Sequence, residues 1–309
     1  MSVRNPLDLE RRQEMKKSSL MLLVFVTGLL LARASSADEA WQKSVDLGLT
    51  LTQNSYSDNW TGGEAGNITW AANANSIFEK QFSQKLNSRT TVKLAFGQTH
   101  SQDQNTKKWA RPKKTTDLID IESLARLTLK LWVDPYVAFR FESQFLDAEV
   151  PQIPRYLDPK KLTESGGIAR QFYKTENDEI LSRLGFALRQ IITQDIVDTT
   201  LEKTKTNSTN DGGLESVTDV KLTLSDKISY TTELSLFKAL FYSRSKELKG
   251  TPQQNYWKQP DVNWENTLSV SVSKYVAVSL YTQLLYDKEI SAKGRFKETL
   301  AMGLTYKLF

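Results

Sequence analysis

Residues 261–287 read DVNWENTLSVSVSKYVAVSLYTQLLYD, and this stretch decides the fold. Leu268, Val270 and Val272 alternate with polar residues, then Lys274-Tyr275 intervenes, then Val276, Val278, Leu280 and Leu284 alternate again. A period of two places one set of side chains on each face of a strand, and the dipeptide between the runs predicts a tight antiparallel turn. One face is apolar and the other carries Glu265, Asn263 and Gln283.

The same pattern extends in both directions. It predicts about twelve strands, near 45–53, 66–80, 85–99, 117–130, 136–147, 164–174, 179–192, 215–225, 228–242, 261–273, 276–287 and 295–309. Connections alternate between short turns (81–84, Asp134-Pro135, 175–178, Asp226-Lys227, Lys274-Tyr275) and long segments (54–65, 100–116, 148–163, 193–214, 243–260). Aromatics cluster at both strand ends, with Phe78, Phe82, Trp132, Tyr136, Tyr173, Tyr230, Tyr275 and Tyr306 near the short turns. Trp60, Phe145, Phe241, Tyr242, Trp264, Tyr286 and Phe296 stand near the long loops. An even strand number, asymmetric loops and two aromatic girdles predict an all-β fold, a transmembrane antiparallel up-and-down barrel of the outer-membrane type. Mean hydropathy of −0.45 argues against helical spans and is compatible with strands that are apolar on one face only. The chain ends on Phe309, an aromatic of the kind that outer-membrane barrels present to their assembly machinery, although the apolar positions of the last strand are displaced from it by one.

Residues 1–37 read as a polar extension followed by a secretory signal: Lys16-Lys17, an apolar run over 20–31, and small residues up to Ala37, with Ala34 as the second candidate cleavage site. Translation starts at Met1 or Met15. Residues 38–309 are expected to be the barrel, with both termini periplasmic. The 309 residues carry 41 Lys+Arg against 36 Asp+Glu; without 1–37 the balance is 35 to 33, a net of +2, which does not make a nucleic-acid surface. Absence of Cys and a single His remove thiolate, zinc-ribbon and multi-histidine chemistry, and no cofactor is expected.

Ser57-Asp58-Asn59-Trp60-Thr61-Gly62-Gly63-Glu64, Thr116-Asp117, Gln144-Phe145 and Thr163-Glu164-Ser165-Gly166-Gly167 together resemble a family of Gram-negative outer-membrane proteins known as a domain of unknown function. The resemblance extends over nearly all of residues 38–309. It implies a barrel and an outer-membrane location and brings no activity with it.

No catalytic residue is assigned. His100, followed by Ser101 and Gln102, has the wrong spacing for the serine–histidine pair of an outer-membrane phospholipase, because adjacent strand residues point to opposite faces. The polar parity instead predicts a charged lumen of Arg89, Lys93, Asp120, Glu122, Arg126, Arg140, Glu142, Gln144, Arg183, Arg189, Glu233 and Glu265, with Asp219 and Lys221 beside them. Two readings follow: a passive channel in which opposed charges filter small polar or charged solutes, or a closed barrel plugged by ion pairs whose outer loops meet a partner. A carrier of hydrophobic ligands fits such a polar lumen poorly. Expected partners are outer-membrane lipid and the barrel-assembly machinery, with the basic run 107–114 a candidate contact for lipopolysaccharide phosphates. Asn207-Ser208-Thr209-Asn210-Asp211-Gly212-Gly213 reads as a flexible loop.

Overall fold

The computed structural model describes residues 40–56, 65–199 and 203–308; the signal segment, the Asn59-Trp60 motif and Phe309 lie outside them. Twelve strands close into an antiparallel barrel. They are β1 (Gln42–Asn54), β2 (Asn67–Ser83), β3 (Leu86–Ser101), β4 (Lys113–Leu127), β5 (Asp134–Ser143), β8 (Lys160–Lys174), β9 (Glu179–Asp198), β10 (Lys203–Ser225), β11 (Ile228–Tyr242), β12 (Pro260–Ser271), β13 (Val276–Tyr286) and β14 (Arg295–Lys307). Each pairs with its sequence neighbours, and β1 closes on β14. Two residue pairs, β6 (Leu146–Asp147) and β7 (Arg155–Tyr156), make a small separate sheet inside the β5–β8 connection.

The alternation does what its period requires. Leu47, Leu49, Leu184, Phe186, Leu236, Leu268, Leu284, Leu300, Met302 and Leu304 are large apolar side chains left exposed on the outside, a surface that water would penalise and hydrocarbon accepts. Trp41, Phe82, Trp132, Phe172, Tyr275 and Tyr306 are exposed at the turn end, and Trp109, Phe145, Phe241, Trp264 and Phe296 toward the loop end. Two aromatics depart from the expected girdles: Tyr242, which pairs with inward Asp211 and has its ring 6.2 Å from that of Trp257 over the interior, and Tyr136. Tyr136 is buried and faces inward, because it shares parity with Ala138 and Arg140. Its ring reaches across β8, where it is in register with Gly167, to β9, where Gly185 leaves room: a Cβ there would come within 2.7 Å of the Tyr136 hydroxyl and 2.4 Å of the Gly166 carbonyl.

Three connections differ from expectation. The segment 193–214 is almost wholly strand: β9 and β10 run in register to Asp198 and Lys203, so Asn207 to Gly213 form ladder pairs rather than a loop. Local turn chemistry is overridden there because β9 and β10 pair with each other throughout the segment, and β11 joins β10 from Asp211 onward. Asp134-Pro135 opens β5 instead of making the turn, which occupies residues 128–133; Asp134 caps that turn by accepting from the Leu129 amide at 3.0 Å. Lys113 and Lys114 leave the basic loop and join β4, where Lys114 Nζ donates to Asp117 at 3.1 Å and to Gln144 at 2.6 Å.

Candidate functional site: the barrel interior

The inward-facing charges meet one another across the barrel. Lys93 on β3 donates to Glu233 on β11 at 2.6 Å, and stands 3.5 Å from Glu265 on β12 and 4.0 Å from Asp120 on β4. Arg140 on β5 forks onto both oxygens of Asp120 (2.8 and 2.7 Å) and reaches Glu233 with its remaining nitrogen at 2.8 Å. Asp120, Lys93, Arg140, Glu233 and Glu265 are thus one network, in which each carboxylate has a cation and each cation more than one carboxylate.

Other groups sit above and below. Toward the turns, Arg89 bridges Glu79 (2.6 Å) and Glu179 (2.6 Å), while Lys174 joins Glu79 at 3.0 Å. Asn87 also donates to Glu79 at 3.0 Å, and Arg126 donates to Gln171 at 3.3 Å. On the β9 wall, Arg183 pairs with Glu122 at 3.0 Å and approaches Asp219 at 3.7 Å; Glu142 pairs with Lys161 at 2.7 Å. Toward the loops, Arg189 forks onto Asp211 (2.8 and 2.5 Å), donates to Asp261 at 2.8 Å and lies 3.6 Å above the centre of the Phe237 ring. Gln144 stands at the mouth, accepting from Lys114 and donating to the Asp158 carbonyl. Glu79, Glu179, Asp211, Asp261, Lys161 and Lys174 were missed by the sequence reading. Their parity was available in the sequence, but pairing between strands distant in the chain was not.

The central pair constrains the shape. On one side β3 and β11 are separated by β4, β5, β8, β9 and β10, and on the other by β12, β13, β14, β1 and β2, so they face each other across the barrel. Twelve strands about 4.8 Å apart and tilted by about 40° make a circular barrel about 24 Å across. An extended Lys and an extended Glu in hydrogen-bond contact span only about 14 Å between Cα atoms. The Lys93–Glu233 contact therefore pinches the cross-section and divides the interior into two lobes.

The lobes differ in content. The β4–β10 side holds Arg140, Glu142, Arg183 and Arg189 together with an apolar cluster of Leu124, Tyr136, Ala138, Ala169 and Leu181. A second cluster, Ala187, Phe237 and Ala239, packs against Trp257 from the β11–β12 loop, which bends inward over this side. Most side chains of this lobe are buried or half-buried and in contact with one another. On the other side, β12, β13, β14 and β1 contain no buried residue among those whose burial is described. Their inward faces, with that of β2, carry mostly small uncharged groups: Gly48, Thr50, Thr52, Asn73, Asn75, Ser279, Thr299 and Ala301. Asn73, Asn75, Thr52 and Thr299 are exposed although they point inward, so water reaches them.

His100 lies at the loop end of β3 with its ring 6.4 Å from that of Trp109, in register with Ile68. Among the described residues no group of three His, Asp or Glu is placed to hold a metal ion.

A family described as a protein of unknown function (DUF3078) matches residues 51–148, from β1 through the β5–β8 connection and including the Asn59-Trp60 segment. That span is shorter than the one the sequence resemblance implied. No curated protein sequence matches the chain. Among solved structures, the chain is similar to an outer membrane channel from Pseudomonas putida F1, with a TM-score of 0.39 and 11% identity over 89% of this chain and 99% of that one. It is similar also to the translocator domain of the autotransporter NalP from Neisseria meningitidis, with a TM-score of 0.33 and 9% identity over 94% and 97% of the two chains. It is similar also to OmpF from Salmonella typhi, with a TM-score of 0.26 and 12% identity over 87% and 96% of the two chains. The protein has the fold of an outer-membrane β-barrel, established by its closed twelve-strand ladder.

Proposed function

We propose that this barrel is a narrow outer-membrane channel whose water path runs along the sparsely charged lobe, between β12 and β2, while the ion-paired lobe is a rigid wall. One observation carries the reading: inward-pointing Asn73, Asn75, Thr52 and Thr299 are exposed, whereas the inward side chains of the opposite wall are packed against one another. Small uncharged polar groups offer hydrogen bonds without binding an ion tightly, which suits passage of small polar solutes. The short turns and both termini are assigned to the periplasmic side, the long loops to the outside.

This reading moves the filter. Arg140 and Arg189 already have carboxylate partners and belong to the wall. Single-channel recording of the refolded protein in a planar bilayer tests it. The expected result is small discrete steps that fall several-fold in Asn75→Trp and keep their ion selectivity in Arg189→Gln. Silence from a heat-modifiable, folded barrel would overturn the channel and leave the closed barrel with partner-binding loops. Selectivity that reverses with Arg189 would return the path to the charged lobe.

A further inference from the structure

Strand β1 closes on β14 through only four ladder pairs, Asp46↔Lys307, Leu47↔Tyr306, Gly48↔Thr305 and Leu49↔Leu304, plus the Leu308 amide on the Val45 carbonyl at 3.0 Å. On its other edge β1 pairs with β2 along its whole length, from Gln42↔Glu79 to Asn54↔Asn67, and β14 pairs with β13 from Val276↔Leu304 to Leu285↔Arg295. Residues 50–54 and 299–303 thus face each other across the closure without ladder pairs among the described residues. At Gly303 the strands still lie close, and a Cβ there would come within 2.4 Å of the Leu49 carbonyl. Beyond it, toward the loops, no backbone ladder joins the two strands among the described residues, and this unladdered stretch is the split.

The split is at hydrocarbon depth, because Leu51, Leu300 and Met302 flank it with exposed, outward apolar side chains. Unpaired backbone groups are costly in that environment, so a split retained there calls for an occupant. Three features identify its chemistry. Outside, an apolar groove of about 520 Å³ runs down the zipped part of the seam, lined by Leu47, Leu49, Tyr275, Leu304 and Tyr306. Inside, the split opens onto Thr50, Thr52, Thr299 and Ala301, an uncharged wall that does not oppose an apolar chain. At its loop end β14 turns Arg295 and Lys297 inward, in register with Leu285 and Gln283. Lys297 Nζ lies 5.6 Å from the centre of the Tyr281 ring. Arg295 Nε is buried without a hydrogen-bond partner. In contrast to every inward arginine of the opposite wall, neither side chain has a carboxylate partner among the described residues.

We propose that the β1–β14 seam is a lateral portal for a single-chain anionic amphiphile, whose head group is held by Arg295 and Lys297 while its chain passes through the split into the outer groove. The proposal rests on the sparsely charged lobe being open, since the portal leads out of that lobe.

Dodecanoate is the probe, titrated onto the full chain in phosphatidylcholine nanodiscs with empty discs subtracted. Because the chain has no Cys, Thr52→Cys with Ala301→Cys, opposite each other if the observed register continues, gives a specific oxidative lock across the split. Dodecanoate should bind, at least about tenfold more weakly to Arg295→Gln/Lys297→Gln, and not to the oxidised double-cysteine protein until it is reduced. Ala301→Trp, which fills the split without a cross-link, should weaken binding likewise. Equal binding of neutral dodecyl maltoside, or dodecanoate binding that survives removal of both cations or filling of the split, overturns the portal. So does absence of binding to the wild type. Bilayer recording separates the two readings: conductance without dodecanoate binding removes the portal alone, and binding by a silent barrel removes the channel alone.

Discussion

At Arg183 the side chain is 2% exposed, donates to Glu122 at 3.0 Å, approaches Asp219 at 3.7 Å and lies 5.7 Å from the centre of the Tyr136 ring. A guanidinium so placed has exchanged its water for fixed partners, and removing it strands two carboxylates. Arg183→Ala should therefore cost about 3 kcal/mol or more, within the range for breaking a buried ion pair, measurable by urea unfolding in lipid vesicles. Arg170, on the opposite face of β8, stacks at 4.5 Å over exposed Trp132 at the turn end, and its alanine variant should cost less than about 1 kcal/mol in the same assay. Gly185 is a steric counterpart to Arg183. Its β-carbon would collide with the Gly166 carbonyl and the Tyr136 hydroxyl, so Gly185→Ala should expel the ring and loosen the apolar cluster around Leu181, again read as lost resistance to urea.

Among the elements, the β13–β14 loop carries the clearest titration. Glu289 lies near Asp287, Asp211 and Asp261, and burial first, then these carboxylates, push its pKa up to about 7. An acid whose pKa is raised on folding binds more protons in the folded than in the unfolded state between its ordinary value near 4.5 and 7. Stability from this group is therefore highest at low pH, falls through that window and is constant above it. The loop should open as pH rises from 5 to 8. Tryptic cleavage after Lys288 in the folded barrel, taken as the ratio of wild type to Glu289→Gln, should rise over that range; a flat ratio would contradict the shift. The long hairpin of β9 and β10 gives a second lesson at this scale. Asn, Asp and Gly over 207–213 carry turn chemistry, yet the ladder continues through them, because unbroken pairing with β9, joined by β11 from Asp211, outweighs local preference.

For the whole molecule the outer surface sets the energetics of insertion. Leu94 pairs with Ala74 and Ile119 in the middle of the wall and faces outward. Leu94→Lys should destabilise the inserted barrel by about 2–4 kcal/mol near the bilayer midplane, seen as a lower urea midpoint in vesicles. Lys at Thr91, which faces inward beside Glu122, should be tolerated far better. Equal penalties at the two positions would contradict the assignment of faces. The pinch between β3 and β11 makes a further statement about the molecule as a unit: one half of the interior is filled and the other is accessible, so a circular pore radius does not describe it.

Period-two alternation, loop asymmetry and aromatic rims determined the fold, the strand number and the inward parity, because each is a local consequence of the pleat and of the need for apolar groups at hydrocarbon depth. Arg89, Lys93, Arg140 and Glu233 could thus be named as inward from the chain alone. Tyr136 was misassigned to a girdle, since an aromatic near a strand end looks the same whether it faces lipid or reaches inward to a glycine two strands away. Tertiary structure alone decided which charges meet. Lys93 and Glu233 are 140 residues apart, and their contact exists only because closure of the barrel brings β3 opposite β11. The same closure decides that one lobe packs while the other stays open, and that β1 and β14 pair over only part of their length. Pairing between the two ends of the chain depends on the tilt and shear accumulated over all the strands between them, a sum that no local pattern records.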